Sequence, residues 1–160
     1  MSALPRAVED VLNAALVGEF TVIAPSGRPV THPMIPLYDG EKIYVHSSIL
    51  FSRKVDHVRA NPKVALAVTD PIAVPGAEFH RICVQGDAVV YEDDPHAGWE
   101  RILPLWGAKE PAALAFYAKR VALPLFWERA LIEVTPRRVF VWEGGRTDAE
   151  PKVYEPAGVA

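Results

Sequence analysis

The sequence predicts a small antiparallel β-barrel with helices, an α+β fold that is mainly β. The first observation is a change of period: after an amphipathic N-terminal helix, Phe20, Val22 and Ala24 alternate with their neighbours. The second is the close spacing of the extended runs, which turn signals such as Asp39-Gly40 separate. The third is a short helix inserted after the third extended run. Short connections are sufficient between antiparallel strands, so this order favours a barrel over a parallel α/β sheet.

Three extended runs form a predicted meander in the first part of the chain. They cover residues 20–24, 30–38 (VTHPMIPLY) and 41–47 (EKIYVHS). Pro33 and Pro36 lack the N–H group that a strand ladder needs. We therefore expect parts of the second run to lie at a sheet edge or beside a bulge.

The segment SRKVDHVRANP, residues 52–62, predicts the short helix. Val55 and Val58 lie three residues apart on one face, and Pro62 ends the helix because the residue before a proline avoids helical geometry. Ser52 stands at the position of an N-cap.

The remaining strands and helices follow from the same patterns. Residues 63–70 and 79–91 are predicted strands. One face of the first carries Val64, Leu66 and Val68, and the core face of the second carries Ile82, Val84, Ala88 and Val90. A late helical pair follows. Its first helix is capped by Asp94 and carries Trp99, Ile102, Leu103 and Trp106, and its second begins at Pro111 and carries Leu114, Tyr117 and Val121.

The chain then returns to strands at residues 127–135 and 137–142. We expect a single domain over residues 1–145, with residues 146–160 as a C-terminal tail that is mobile or lies against a partner.

Composition excludes several classes of function. The chain has 160 residues, of which 50% are hydrophobic, and a formal charge of −3. This charge argues against nucleic acid or an anionic membrane as the main partner. The single cysteine, Cys83, excludes an internal disulfide, and no segment is long and apolar enough to cross a membrane. We expect a cytoplasmic protein.

Two cations, Arg53 and Lys54, stand at the start of the short helix, where the partial positive charge of the helix dipole disfavours them. An anion such as a phosphate would reverse this penalty, and hydroxyl donors stand nearby at Ser47, Ser48 and Ser52. The alternative is that both cations extend into solvent or pair with Asp56.

The order of these segments resembles the FMN-binding split-barrel superfamily, whose best-known members are the pyridoxamine 5'-phosphate oxidases. The resemblance covers residues 18–92 and depends on IYVHSS, SRKVDHVRANPKVALAV and VQGDAVVY, with weaker support from EVTPRRVFVW. It implies an antiparallel split β-barrel of Greek-key type. It also implies a homodimer that binds its cofactor in the groove between the two chains.

The resemblance also implies roles for individual residues. Arg53 and Lys54 correspond to the ligands of the flavin phosphate, with hydroxyl groups from Ser52 and from Ser47 or Ser48. The strand that passes the flavin ring, mostly through its backbone, corresponds to His32, Pro33, Met34 and Ile35. Arg81 lies near a glutamine of the oxidases that contacts the flavin. Trp142 and Arg146 are weaker matches to a C-terminal tryptophan and arginine of those enzymes.

The departures from the oxidases decide the expected activity. His32 stands where they have an arginine, and Leu37 stands near the place of a lysine. The resemblance therefore implies an FMN-dependent oxidoreductase similar to flavin reductases rather than vitamin B6 oxidation. A reduced nicotinamide or a small organic molecule would be its substrate. A deazaflavin-dependent reductase and a non-catalytic FMN-binding or storage protein are alternatives on the same scaffold.

Other interpretations of single residues remain open. No residue is indicated as an acid–base catalyst. Some split-barrel proteins bind haem, for which His46 or His80 would be a ligand, and a dimeric interaction domain without cofactor is a further alternative. The histidines show no metal-ligand spacing. Arg137 and Arg138 indicate either a solvated strand start or contacts to an anionic substrate.

Overall fold

A computed structural model describes residues 4–48, 52–94, 97–112, 114–115 and 129–156. The helices are α1 (Arg6–Ala14), α2 (Arg53–Ala60), α3 (Ala97–Glu100) and α4 (Leu103–Lys109). The strands are β1 (Gly18–Ile23), β2 (Pro29–Met34), β3 (Leu37–Tyr38), β4 (Ile43–Ser48), β5 (Lys63–Val68), β6 (Arg81–Tyr91), β7 (Arg129–Trp142) and β8 (Lys152–Tyr154).

The strands form one antiparallel sheet in the order β2-β1-β5-β6-β7-β4-β3, with β8 paired to β7. The two strands at the ends of this order, β2 and β3, are consecutive in the chain and separated only by Ile35 and Pro36. The sheet therefore curls round until its two edges are joined by this short link. This architecture confirms the predicted antiparallel split β-barrel.

The predicted meander is correct only in part. Residues 30–38 do not form one strand between two neighbours, because the run breaks at Pro36 into β2, which pairs with β1, and β3, which pairs with β4. Pro33 lies in β2 at the end of the sheet order, as its missing N–H predicted.

Apolar side chains fill the barrel according to the alternation along each strand. Phe20 from β1, Leu66 from β5 and Val84 from β6 lie in one row and are fully or almost fully buried. Helix α1 closes the main cluster with Val8, Val11 and Leu12. The predicted core faces of β5 and β6 are confirmed.

A second, smaller apolar cluster lies outside the barrel under α4. It consists of Leu37, Tyr44, Ile102, Trp106 and Leu131. The predicted first helix of the late pair is divided into α3 and α4, and Trp106 is buried as expected. The side chain of Trp99, and Tyr117 and Val121 of the second helix, fall outside the described residues.

The last long strand carries a bulge that the sequence did not predict. The two expected strands at 127–135 and 137–142 are one strand of 14 residues, β7. Gly86 of β6 faces Pro136 and Gln85 faces Arg138, so Arg137 is the extra residue. A Cβ atom on Gly86 would lie 2.5 Å from the Thr135 carbonyl oxygen, which explains why glycine stands there.

The C-terminal segment differs from the expected tail. Residues Lys152–Tyr154 form β8, which pairs with Val139, Phe140 and Val141 of β7. Order therefore continues beyond Gly145. No helix in the described ranges is long and apolar enough to span a membrane.

Candidate functional site

The end of β4 meets the start of α2 at two serines. Ser52 precedes the helix, as predicted, but its hydroxyl makes no capping bond to the helix backbone. Instead its Oγ lies 2.7 Å from the Oγ of Ser47, which is only 4% exposed. The expected N-cap position is therefore correct, although the serine side chain does not cap the helix. The two hydroxyls tie α2 to β4 and place Lys54 next to this junction.

Lys54 is half-buried, and burial lowers the pKa of its ammonium group. It makes no hydrogen bond or ion pair within the described ranges. The same holds for Arg53, which is exposed. The expected alternative partner, Asp56, instead binds Arg59 at 2.5 Å. A half-buried cation with no protein partner is typical of a site that receives an anion.

Three histidines have a buried ring nitrogen without a hydrogen-bond partner in the described part of the chain: Nε2 of His32, Nε2 of His46 and Nδ1 of His57. The pKa of His32 is lowered by burial and then by the charges of Lys54 and His57. Lys54 thus lies close enough to His32 and His46 for its charge to lower the pKa of both. The site combines a cation with buried polar atoms that protein groups leave unused.

His46 lies against α4 and the first residue of β7. Its Nδ1 lies 3.0 Å from Nη1 of Arg129, and its ring lies 4.3 Å from that of Trp106, centroid to centroid. Burial, followed by the charges of Arg129 and Lys54, lowers the pKa of His46 to about 3. Sequence reasoning missed Arg129. The signal that could have found it is an arginine placed directly before the buried run Ala130, Leu131 and Ile132 at the start of the strand.

The residues predicted to contact the flavin ring lie in three different environments. Pro33 is exposed, Met34 packs on the main core and Ile35 packs on the smaller cluster. In the sheet order β2 has β1 on one side and ends the ladder on the other. Backbone groups on its outer edge are therefore the groups that a ligand could reach.

Arg81 and Trp142 lie away from the serine pair within one chain. Arg81 begins β6 and pairs with Trp142 of β7. Ser47 of β4 pairs with Ala130 of β7, which is next to the partner of Tyr91 at the opposite end of β6. Ten residues of strand separate the two ends, which is about 30 Å. Arg81 donates to the carbonyl oxygens of Thr69, at 3.2 Å, and Gly145.

Trp142 stacks on Phe140 with ring centroids 6.4 Å apart. Ser48 ends β4 opposite Arg129, next to the serine pair. The structure therefore brings together the predicted serines, Lys54 and His32. Arg81 and Trp142 pair with each other at the end of β6 away from these serines.

The other polar candidates have structural partners. Arg137 binds Asp87 at 2.7 Å and Arg138 lies 3.4 Å from Glu155, which agrees with a solvated strand start. Arg146 pairs with the exposed Asp148.

Cys83 and His80 lie in surroundings that are typical of structural residues. Burial raises the pKa of the half-buried Cys83 thiol, which disfavours the thiolate. His80 accepts a hydrogen bond from the Gly144 N–H at 3.2 Å. Within the described residues, no group of three or more histidine, cysteine, aspartate or glutamate side chains could hold a metal ion.

Comparison with known families agrees with the barrel fold. The family model described as "Pyridoxamine 5'-phosphate oxidase" matches residues 4–143. Because this match covers most of the chain, the protein belongs to that family. No curated protein sequence matches the chain.

Solved structures with the same fold carry different descriptions. A structure described as an F420 reductase is 20% identical, with a TM-score of 0.61 over 85% of this chain and 98% of the other. A conserved hypothetical protein from Mycobacterium tuberculosis is 18% identical, with a TM-score of 0.65 over 88% and 86%. A heme binding protein from Mycobacterium smegmatis is 16% identical, with a TM-score of 0.61 over 96% of this chain and 59% of the other. At these identities the similarity shows the fold alone.

Proposed function

We propose that the protein is an oxidoreductase that binds FMN through its phosphate at Lys54 and transfers hydride between a reduced nicotinamide or small organic substrate and the flavin. The observation that carries the proposal is the half-buried ammonium group of Lys54, which has no partner in the described part of the chain. A phosphate would neutralise this charge and accept its hydrogen bonds.

The residues present fit such a group. Lys54 and the adjacent Arg53 supply positive charge, and the hydroxyls of Ser47 and Ser52 lie at the same junction of β4 and α2. The orphaned Nε2 of His32 would face the ligand from β2. When bound, a flavin supplies the capacity to accept and donate hydride, and the protein supplies position and electrostatics.

The chain's own contribution to such a reaction is placement and exclusion of water. The serine pair fixes the start of α2, and hence the position of Lys54, relative to the barrel. The described site offers histidines whose neutral form is favoured, His32 and His46. This composition suits hydride transfer, which needs no protein acid or base at the reacting carbon.

We propose further that the functional unit is a homodimer. Arg81 and Trp142 lie at the end of β6 away from the serine pair, and Arg81 is held by carbonyl oxygens of Thr69 and Gly145. A second copy packed across the barrel would bring the partner subunit's Arg81 to the cofactor. Light scattering of the purified protein should give a dimer mass, and a monomer that binds FMN with full affinity would contradict the dimeric site.

The cofactor proposal is tested by the absorbance spectrum of the purified protein and by titration with FMN. Wild type should bind oxidised FMN, and the double variant Arg53→Ala with Lys54→Ala should bind it at least tenfold more weakly, because a charge-assisted contact is worth about 1.5–3 kcal/mol. Lys152→Ala is the matched control, since this lysine pairs with Glu143 on the surface. Equal FMN affinity of the double variant and wild type would refute the phosphate site.

A deazaflavin is the second candidate cofactor, and the F420 reductase among the structural neighbours favours it. Both cofactors would bring a phosphate to Lys54. Parallel titrations with FMN and coenzyme F420 separate them, because the true cofactor should bind more tightly. A Soret band with bound haem and no affinity for either flavin would overturn both.

Catalysis is tested apart from binding. A flavin reductase should oxidise NADH or NADPH in repeated turnovers with bound cofactor. A storage protein would bind FMN without turnover, and this result would refute the enzymatic part of the proposal while leaving the site intact.

A further inference from the structure

The contact between Arg129 and His46 determines which ring nitrogen of the histidine carries its proton. A guanidinium group has only donors, so the Nδ1 atom that lies 3.0 Å from Nη1 of Arg129 must be an acceptor. A neutral imidazole with an unprotonated Nδ1 carries its proton on Nε2. The buried Nε2 of His46 is therefore an N–H donor, and it has no acceptor among the described residues.

The surroundings of His46 keep it in this state. Arg129 reaches it from β7, Trp106 packs on its ring from α4, and the charge of Lys54 acts on it from α2. Glu110, the carboxylate on this side, accepts a hydrogen bond from Nε1 of Trp106 at 2.7 Å. A second proton on His46 would place an N–H group against the guanidinium and a positive charge near two cations.

We propose that Arg129 is a positioning residue that holds His46 as the Nε2–H tautomer, so that this imidazole donates a hydrogen bond to an oxygen of the anionic cofactor that Lys54 attracts. The inference rests on the proposed function, because it names a further donor of the same site. Its basis is geometric: a tautomer set by one neighbour, and a buried donor left without an acceptor.

The first test examines the free protein and needs no cofactor. Nitrogen-15 chemical shifts of the histidine side chains distinguish the two tautomers, and His46 of wild type should show a protonated Nε2 and an unprotonated Nδ1. In Arg129→Met the signal should change toward a mixture of tautomers. A protonated Nδ1 in wild type would overturn the inference.

The second test measures the FMN dissociation constant as a function of pH. His46→Phe keeps a ring against Trp106 but removes the donor, and it should weaken FMN binding about tenfold at every pH. Arg129→Met should also weaken FMN binding, but by less than His46→Phe, because part of the imidazole then carries its proton on Nδ1 and cannot donate from Nε2. The double variant His46→Phe with Arg129→Met should bind FMN no more weakly than His46→Phe alone, because Arg129 acts through His46.

His80→Phe is the matched control for loss of one buried imidazole outside the site. His46→Gln is a second variant, in which the side-chain amide can still donate a hydrogen bond. It replaces His46→Phe in the comparison if the phenylalanine variant does not fold. If wild type binds FMN and His46→Phe binds it equally well, only the inference is wrong. If wild type binds neither FMN nor coenzyme F420, the proposed function is wrong and the inference falls with it.

Discussion

Replacement of His46 should make the fold less sensitive to acid. Burial and the charges of Arg129 and Lys54 lower the pKa of this imidazole to about 3 in the folded protein, against an ordinary value of 6.5. As the pH falls below 6.5, the unfolded chain takes up a proton that the folded chain refuses. The contribution of His46 to the free energy of unfolding is therefore fully present above pH 6.5, and it is lost as the pH falls toward 3.

The size of the effect follows from the interval of pH. Between 6.5 and pH 5 lie 1.5 pH units, each worth about 1.4 kcal/mol, so wild type should lose about 2 kcal/mol of unfolding free energy through His46 alone. His46→Gln and His46→Phe should lack this loss, whatever their stability at pH 7. The measurement is urea unfolding at pH 7 and pH 5 for all three proteins.

The comparison uses the difference between the two pH values, so a variant that is less stable at both values does not affect it. The lowered pKa of His32 contributes a loss of the same sign in all three proteins and cancels. Equal losses in wild type and both variants would refute the assignment of His46 as a buried neutral imidazole.

Two further predictions concern the scaffold. Gly86→Ala should destabilise the protein by about 1–3 kcal/mol in urea unfolding, because the new Cβ would overlap the Thr135 carbonyl. Gly98→Ala, which meets no atom within 4 Å, should not destabilise it, and equal effects would refute the steric argument. Lys109→Met should cost about 2 kcal/mol or more, because carbonyls at the C-terminal end of α1 and in the β2–β3 link lose their donor. The exposed Lys152→Met is the control, and a Lys109→Met protein as stable as this control would contradict the prediction.

The fold followed from the sequence where local rules were sufficient. Alternation predicted the buried faces of β5 and β6, and the period of α2 predicted Val55 and Val58, which are both 2% exposed. The break of residues 30–38 at Pro36 could not be read in the same way. A proline forbids one ladder bond, but only closure of the barrel determines that β2 and β3 separate to opposite ends of the sheet order.

The candidate site was predictable only where its residues are neighbours in the chain. Ser52, Arg53 and Lys54 form one contiguous motif, so their position at the helix start was visible from the sequence. The pair of His46 and Arg129 spans 83 residues and depends on the register between β4 and β7. That register is a tertiary property, and so the residue most closely linked to His46 was missed.

A comparison of two lysines gives the strongest reason to regard Lys54 as a ligand-binding residue. Lys109 is also buried enough that its pKa falls to about 8, yet its ammonium donates to the carbonyl oxygens of Leu12 at 2.6 Å, Ala15 at 2.7 Å and Pro36. These acceptors favour the charged form and offset the cost of burial. The chain thus supplies protein acceptors where a buried lysine has a structural role. At Lys54 it supplies none in the described part, and instead leaves the nitrogens of His32 and His57 unbonded nearby. Such an arrangement lowers stability unless a bound molecule completes it, and a phosphate has both the charge and the acceptors that are missing.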